Sequence, residues 1–115
     1  MRFTLPQLYR LKLDNRHLKV ILSVGGDTFS KQWYWDFLPN KTERATFVSS
    51  AVQMIKDYGF DGIDIDYEYP NSTAVAENYA DLLVETRKGL DDFKTQNGDT
   101  TPYLLSVCVH CELHV

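Results

Sequence analysis

Three short apolar runs, separated by stretches with helical spacing, organise the chain. The runs cover residues 18–24, 60–68 and 103–109 and follow one another at intervals of roughly 42 residues. Strands that alternate with helices in this way form a parallel sheet. The first run is almost unbroken and ends at Gly25-Gly26, which predicts a strand buried on both faces. The sequence therefore predicts a βαβαβ array of the α/β class with parallel strands.

Capping residues mark the predicted helices between these strands. A short helix is expected over residues 5–14. Asn40 is a favourable N-cap for a second helix, and Gly59 is a favourable stop for it. A long third helix is expected after the turn at residues 70–72, with an interior that Gly89 weakens.

Composition and charge narrow the classes of function. The chain has 115 residues, 43% of them hydrophobic, which is enough for one small domain with a core. Twelve basic and sixteen acidic residues give a formal charge of -4 with no basic stripe, so nucleic acid is not expected as a partner. The apolar runs are too short for a membrane span, and Pro6 with nearby charges interrupts any signal peptide. Cys108 and Cys111, the two cysteines, do not make a disulfide framework.

Carboxylates are concentrated in the second predicted strand. Residues 61–68 read DGIDIDYE, with four acids in eight positions. Side chains alternate along a strand, so Asp64, Asp66 and Glu68 share one face and the residues between them pack on the other. Like charges spaced by about 7 Å do not all ionise freely, which favours acid–base catalysis. Glu68 is the natural proton donor, because it lies at the carboxyl end of the strand, where α/β active sites are built.

Two other interpretations of this row of acids stay open. One is a solvated edge strand, and the other is a calcium or magnesium site, since hard carboxylate oxygens suit these ions. An EF-hand loop counted from Asp64 fails, because Tyr69 stands where glycine is required and Val75 where the closing glutamate belongs.

The end of the chain offers a zinc alternative from Cys108, His110, Cys111 and His114. Strand alternation would send the two cysteines to opposite faces, so no metal or other cofactor is expected.

The row of acids and the glycine pair resemble two motifs of one enzyme family. Residues 61–70 are similar to the Asp-x-x-Asp-x-Asp-x-Glu strand of the family 18 glycoside hydrolases, the chitinases, and especially those of fungal type. Ser23-Val24-Gly25-Gly26 is similar to their second motif. The resemblance implies a partial (β/α)₈ TIM barrel. Residues 1–106 would hold the third to fifth barrel strands of the catalytic domain. Residues 107–115 would form an atypical tail, because the family continues there with small residues and proline.

The resemblance also implies a reaction and its residues. Chitinases cleave β-1,4-linked N-acetylglucosamine polymers by a retaining mechanism in which the sugar's own N-acetyl group replaces an enzyme nucleophile. By motif position, Glu68 would donate the proton, Asp66 would orient the acetamido group and Asp64 would share protons with Asp66. Ser23 and Asp61 would be structural members of the motifs. The implied contacts with chitin or chitooligosaccharides are Gly25, Gly26, Asp27, Thr28 and Tyr69.

The sequence leaves an alternative to catalysis. A complete barrel needs about 250 residues, so a chain with three of its strands could be a chitin-binding, chitinase-like fragment without activity, or an unstable gene remnant. Asp27 stands where many family members have tryptophan, which places a charge where an aromatic ring would floor a sugar subsite. The parent family is extracellular, which is the expected location for an enzyme of this kind. The oligomeric state is left open.

Overall fold

The fold alternates helices with strands along the chain. A computed structural model describes residues 4–26, 36–67 and 70–108. The elements in chain order are α1 (Leu5–Asp14), β1 (Ile21–Gly25), α2 (Lys41–Tyr58), β2 (Gly62–Asp66), α3 (Thr73–Asn97) and β3 (Leu104–Cys108). The sheet has the order β1-β2-β3, and β2 pairs in parallel with both neighbours. The predicted βαβαβ array with parallel strands is therefore confirmed.

The helix ends follow the capping residues. The side chain of Asn40 accepts hydrogen bonds from the backbone N–H groups of Thr42 and Glu43, at 2.9 and 3.3 Å, and so begins α2. Gly59 ends α2 in the left-handed conformation, with φ of 70°. Ser72 caps the start of α3 in the same manner, through a 3.3 Å bond from the backbone N–H of Val75. These are the limits that the sequence predicts for α2 and, within a few residues, for α3.

One hydrophobic core lies between the sheet and the two long helices. Its fully buried members come from β2, α2, α3 and the turn before α2, and include Ile63, Ile65, Ile55, Leu82, Leu90 and Leu38. Gly89 of α3 lies where α2 comes close, because a Cβ at this position would stand 2.4 Å from Val48 Cγ1. The glycine predicted to weaken α3 therefore permits the packing of α3 against α2.

The burial predicted for the first strand is wrong. In β1, Leu22 and Val24 are half-buried and pack against the core, whereas Ile21, Ser23 and Gly25 are exposed. The helices α2 and α3 contribute to the same core cluster and cover the same face of the sheet. The other face of β1 is left open by all the described helices. An apolar run indicates how many faces a strand can bury, but which of them are covered depends on tertiary packing.

A buried ion pair ties the two long helices to the segment before α2. Arg44 is 5% exposed, and its Nε and Nη2 atoms each lie 3.0 Å from a carboxylate oxygen of Glu85 on α3. Its Nη1 donates to the carbonyl oxygen of Leu38 at 2.7 Å.

In the described parts of the chain, none of the helices has both the length and the hydropathy that a membrane span requires.

Candidate functional site

The two motifs of the sequence lie side by side in the sheet. The register pairs Ser23 of β1 with Asp64 of β2, and Gly25 with Asp66. On the other side of β2, Ser106 pairs with Asp64 and Cys108 pairs with Asp66. Asp64 and Asp66 therefore lie in the middle strand, on the sheet face opposite the core, and each has a neighbour from β1 and from β3 in its own row.

Asp64 is held between two serine hydroxyls. The hydroxyl of Ser23 donates to Asp64 Oδ2 at 2.7 Å, and the hydroxyl of Ser106 donates to Asp64 Oδ1 at 2.7 Å. Both distances are typical of O–H···O hydrogen bonds, which weaken steeply when the angle is poor. We call Ser23, Asp64 and Ser106 the serine clamp. The clamp therefore holds one oxygen of the carboxylate from β1 and the other from β3.

Asp66 has a different environment from Asp64. Its side chain is half-buried, and its Oδ1 atom is buried without a hydrogen-bond partner among the described residues. Leaving a buried carboxylate oxygen unpaired costs free energy, and such atoms are few in folded proteins. Among the described acids of the row, Asp66 is therefore the one with a carboxylate oxygen that has no described hydrogen-bond partner.

The glycine pair shapes the chain beside Asp66. Gly25 and Gly26 have φ of 113° and 112°, a conformation that residues with a Cβ rarely adopt. The backbone N–H of Gly26 donates to the carbonyl oxygen of Asp66 at 3.1 Å, which keeps the end of β1 close to β2. A Cβ on Gly26 would lie 3.9 Å from Asp66 Oδ2. The pair thus turns the chain at the end of β1 and adds no side chain beside the acid.

A buried phenol lies beneath the acids, on the core side of β2. The hydroxyl of Tyr79 approaches the carbonyl oxygen of Ile65 at 3.4 Å, and its ring meets that of Tyr67 edge to face with centroids 5.2 Å apart. Burial raises the pKa of Tyr79 to about 12, and the negative charges of Asp64 and Asp66 add to this effect. Tyr79 is therefore a neutral group at any pH where the site would operate. The sequence marked it only as an apolar position of α3.

Asp61 lies at the other end of β2 and joins all three strands. Its Oδ2 atom accepts hydrogen bonds from the backbone N–H of Val20 at 2.7 Å and from Lys12 Nζ at 2.8 Å. Its backbone N–H donates to the carbonyl oxygen of Val20 at 2.7 Å, and its carbonyl oxygen accepts a hydrogen bond from the backbone N–H of Leu104 at 2.8 Å. Asp61 is remote from the carboxyl ends of the strands, and its structural function in the motif stays a prediction.

Four of the predicted site residues lie outside the described residues: Asp27, Thr28, Glu68 and Tyr69. Tyr67, which precedes Glu68 in the chain, is 1% exposed. The structure adds Ser106, which the sequence did not single out. Alternation in the third predicted strand places Ser106 on one face with Cys108, but the offset between strands that brings it to Asp64 is not visible in the sequence.

The metal alternatives find no support in the geometry of the described part of the chain. No three His, Cys, Asp or Glu side chains come together there in a way that would hold a metal ion. Both oxygens of Asp64 already accept hydroxyl hydrogen bonds. Of the proposed zinc ligands only Cys108 is described, as an exposed thiol at the end of β3, and His110, Cys111 and His114 lie outside the described residues.

Comparison with known proteins shows the family of the chain. The sequence profile of the glycosyl hydrolases family 18 matches residues 3–114. The protein belongs to this family. Chitinase 1 of Aphanocladium album is 45% identical over 101 residues, which are 88% of this chain and 24% of that protein. Endochitinase 1 of Metarhizium robertsii is 41% identical over 101 residues, again 88% of this chain and 24% of that protein. The chain therefore spans about a quarter of the length of these relatives.

Solved structures of a chitinase and of a chitinase-like agglutinin show the same fold over most of this chain. The family 18 chitinase of Cycas revoluta in complex with (GlcNAc)3 aligns with a TM-score of 0.85 and 26% identity, over 96% of this chain and 33% of that one. The chitinase-like agglutinin of Robinia pseudoacacia aligns with a TM-score of 0.81 and 27% identity, over 91% of this chain and 32% of that one. The βαβαβ array is thus a segment of a (β/α)₈ TIM barrel, as the resemblance implied. The match of the profile also extends through most of residues 107–115, and Val107 and Cys108 belong to β3. The boundary at residue 106 stays a prediction.

Proposed function

We propose that this chain carries the acid strand of a chitinase, which cleaves β-1,4-linked N-acetylglucosamine polymers by a retaining, substrate-assisted mechanism. The observation that supports this most is the contrast between two acids on one strand face. Asp64 has both oxygens bound by hydroxyls, whereas Asp66 keeps a buried oxygen without a described partner. Two acids in unlike environments can take unlike functions in one reaction.

In the proposed reaction Asp66 receives the substrate's acetamido group. Asp66, whose Oδ1 has no described partner, would accept a hydrogen bond from the acetamido N–H, and this bond orients the acetamido carbonyl oxygen toward the anomeric carbon. That oxygen forms a bond to the anomeric carbon while the glycosidic C–O bond breaks, and Glu68 gives its proton to the departing oxygen. Water then attacks the same carbon while the bond from the acetamido oxygen to it breaks, which restores the N-acetyl group. Glu68 takes a proton from the attacking water, and the configuration is retained.

Asp64 would share protons with Asp66 during this cycle. A serine hydroxyl can donate a hydrogen bond or accept one, because its hydrogen rotates about the Cβ–Oγ bond. Ser23 and Ser106 can therefore hold Asp64 both when it is ionised and when it carries a proton. The serine clamp is compatible with a carboxyl group that changes its protonation state without moving.

Substrate contacts in this proposal come from the end of β1 and from the residue after Glu68. Gly25 and Gly26 have no side chains, which lets a sugar ring approach the backbone next to Asp66. Asp27, Thr28 and Tyr69 are proposed as further contacts on the basis of the motifs alone. Chitin or a chitooligosaccharide is the proposed partner, and an extracellular location, where such a polymer is met, belongs to the same proposal.

A second candidate function is binding of chitooligosaccharides without cleavage. The structural likeness to the chitinase-like agglutinin of Robinia pseudoacacia supports this candidate, because that protein has the same fold over 91% of this chain. Glu68 argues for cleavage, because a binding protein has no need of a proton donor at the end of the acid strand.

An assay of turnover of a chromogenic chitobiose or chitotriose glycoside distinguishes cleavage from binding without cleavage. The purified chain is compared with Glu68→Gln and with Glu77→Gln, a matched control because Glu77 is an exposed residue of α3. General acid catalysis contributes typically about 10² to 10⁴ in rate, so Glu68→Gln is expected to lose at least about a hundredfold while Glu77→Gln keeps full activity.

Circular dichroism of all three proteins shows whether they are folded, and calorimetry with N,N′,N″-triacetylchitotriose measures binding. Turnover that survives in Glu68→Gln would contradict the assignment of the proton donor. A folded chain that binds the trisaccharide without turning over either glycoside would support the binding function. A folded chain that neither binds nor cleaves would contradict both candidates.

A further inference from the structure

Two asparagines of the chain begin the triplet Asn-x-Ser/Thr, the acceptor pattern for N-linked glycosylation. The triplets are residues 40–42, which read NKT, and residues 71–73, which read NST. Neither has proline in its middle position, so both fit the pattern. Triplets of this kind also arise by chance, and then nothing prevents the fold from burying the asparagine or using its amide nitrogen. The surroundings of the side chain therefore decide whether it can carry a glycan.

The triplet at residues 40–42 lies at the surface. All three of its residues are exposed, and they form the start of α2. Phe37 and Leu38, just before the triplet, are buried in the core, whereas Pro39 is exposed. The chain therefore leaves the core at Pro39 and presents Asn40 at the surface. An attached glycan is bulky and polar, so it requires a position of this kind.

The side-chain amide of Asn40 uses its oxygen for the fold. This oxygen, Oδ1, accepts the backbone N–H groups of Thr42 and Glu43, at 2.9 and 3.3 Å. Because both partners are donors, the atom that faces them has to be the oxygen, so the assignment of oxygen and nitrogen is fixed. None of the described residues accepts a hydrogen bond from Nδ2 of Asn40. Asn97 differs, because its Nδ2 donates to Asp99 at 2.9 Å.

Glycosylation at Nδ2 is compatible with this helix cap. The donor is an oligosaccharide bound through a diphosphate to a lipid. Nδ2 attacks the anomeric carbon of the oligosaccharide, the bond from that carbon to the diphosphate oxygen breaks, and the lipid diphosphate leaves. Nδ2 gives up one of its two protons to a base of the transferring enzyme. The product is still an amide with a carbonyl oxygen, so Oδ1 can continue to accept from Thr42 and Glu43.

We propose that Asn40 is a site of N-linked glycosylation and that the modified side chain continues to cap α2. The inference rests on the extracellular location that belongs to the proposed function, because the transferring enzyme acts on chains that enter the secretory route. It does not depend on glycoside hydrolysis by the chain. The partner of the site is therefore a lipid-linked oligosaccharide, and the product is a glycan at the start of α2.

The test produces the full chain behind a cleavable secretion signal in yeast, and collects the protein from cells and medium together. Asn71→Gln is present in every protein, so a glycan reports on Asn40 alone. Thr42→Val removes the hydroxyl of the triplet and keeps Asn40 as the cap. Thr42→Ser is the matched control, because it keeps the triplet, and Thr42 is exposed in either case.

Mass spectrometry of the whole proteins and of the peptide with residue 40 is the first readout. The parent protein and Thr42→Ser are expected to carry a glycan that peptide:N-glycosidase removes, leaving aspartate at position 40. Thr42→Val is expected to have the mass of the bare chain. An unmodified Asn40 in the parent protein would overturn the proposal, and so would a glycan on Asn40 in Thr42→Val.

Urea unfolding tests whether the cap survives. The glycosylated protein should unfold at the same urea concentration as the enzyme-treated protein, because aspartate caps a helix as well as asparagine does. Asn40→Ala, which has no capping oxygen, should unfold at a lower concentration. A glycosylated protein that unfolds as early as Asn40→Ala would refute the retained cap.

Turnover of the chromogenic glycoside, measured on the same proteins, keeps this inference apart from the proposed function. A glycan at Asn40 without turnover by a folded chain would contradict the hydrolysis and leave the modification standing. Turnover by a chain with a bare Asn40 would support the hydrolysis and overturn the modification.

Discussion

Replacement of Gly62 by alanine tests how tightly the strands of the site are joined. Gly62 begins β2 and pairs with Ile21 on one side and Leu104 on the other. A Cβ on Gly62 would lie 2.1 Å from the carbonyl oxygen of Leu104 and 2.7 Å from its carbonyl carbon. These are backbone atoms, so no change of rotamer relieves the contact. The strand β3 itself has to move.

The size of the movement gives the expected loss of stability. Ordinary van der Waals contact begins near 3.4 Å, so the carbonyl of Leu104 has to retreat by about 1.3 Å. The hydrogen bond from Leu104 to the carbonyl of Asp61, now 2.8 Å, would then approach about 4 Å and be lost with its neighbour in the ladder. Two lost bonds at about 1 kcal/mol each, with about 1 to 3 kcal/mol of overpacking strain, give a loss of about 3 to 5 kcal/mol.

Urea unfolding followed by circular dichroism measures this loss. Gly98→Ala is the matched control, because a Cβ on Gly98 meets nothing within 4 Å and the residue needs only its positive φ of 71°. Backbone strain of that kind costs about 1 to 2 kcal/mol. The reasoning is refuted if Gly62→Ala loses no more stability than Gly98→Ala.

Two further predictions concern groups away from the acids. Arg44→Met is expected to destabilise the fold by about 2 to 4 kcal/mol, because it leaves the half-buried Glu85 carboxylate without its partner, whereas Lys88→Ala on the exposed face of α3 should cost under about 0.5 kcal/mol. The urea unfolding midpoints of the two variants check this. Equal losses of stability would show that burial of the Arg44–Glu85 pair does not increase its contribution. Burial raises the pKa of Tyr79 to about 12, while a phenol in the unfolded chain ionises near 10, so the native state should lose about 2 kcal/mol as the pH rises from about 10 to about 12. Tyr79→Phe should make that loss smaller, and an unchanged pH dependence of unfolding would contradict the assignment.

Local rules were sufficient for the elements and for the two faces of the acid strand. Strand alternation separates Asp64 and Asp66 from Ile63 and Ile65, which are fully buried on the other face, as predicted. The stop at Gly59 was also predicted, because the left-handed conformation after a helix favours glycine. These features depend on a residue and its near neighbours in the chain, which is why the sequence contains them.

Features that depend on register or on packing between elements were not predictable. The contact of Ser106 with Asp64 requires the offset between two strands that a whole helix separates. Gly89 looked like a weak point in a helix, and only the position of α2 shows that a side chain there would collide. Arg44 has no local signal at all, since its partner Glu85 is on another helix. The site residues outside the described parts of the chain rest on their motifs.

The serine clamp also ties the completion of the site to the folding of the whole chain. Ser23 and Asp64 are 41 residues apart, and Asp64 and Ser106 are 42 residues apart, with a different helix in each interval. One hydrogen bond therefore closes when the first βαβ unit forms, and the other closes only when the second unit has formed. Contacts between residues this far apart in the chain carry a cost in loop-closure entropy, and they slow folding. An intermediate with one folded unit would hold Asp64 by a single oxygen, so the carboxylate acquires its final orientation only in the fully folded chain.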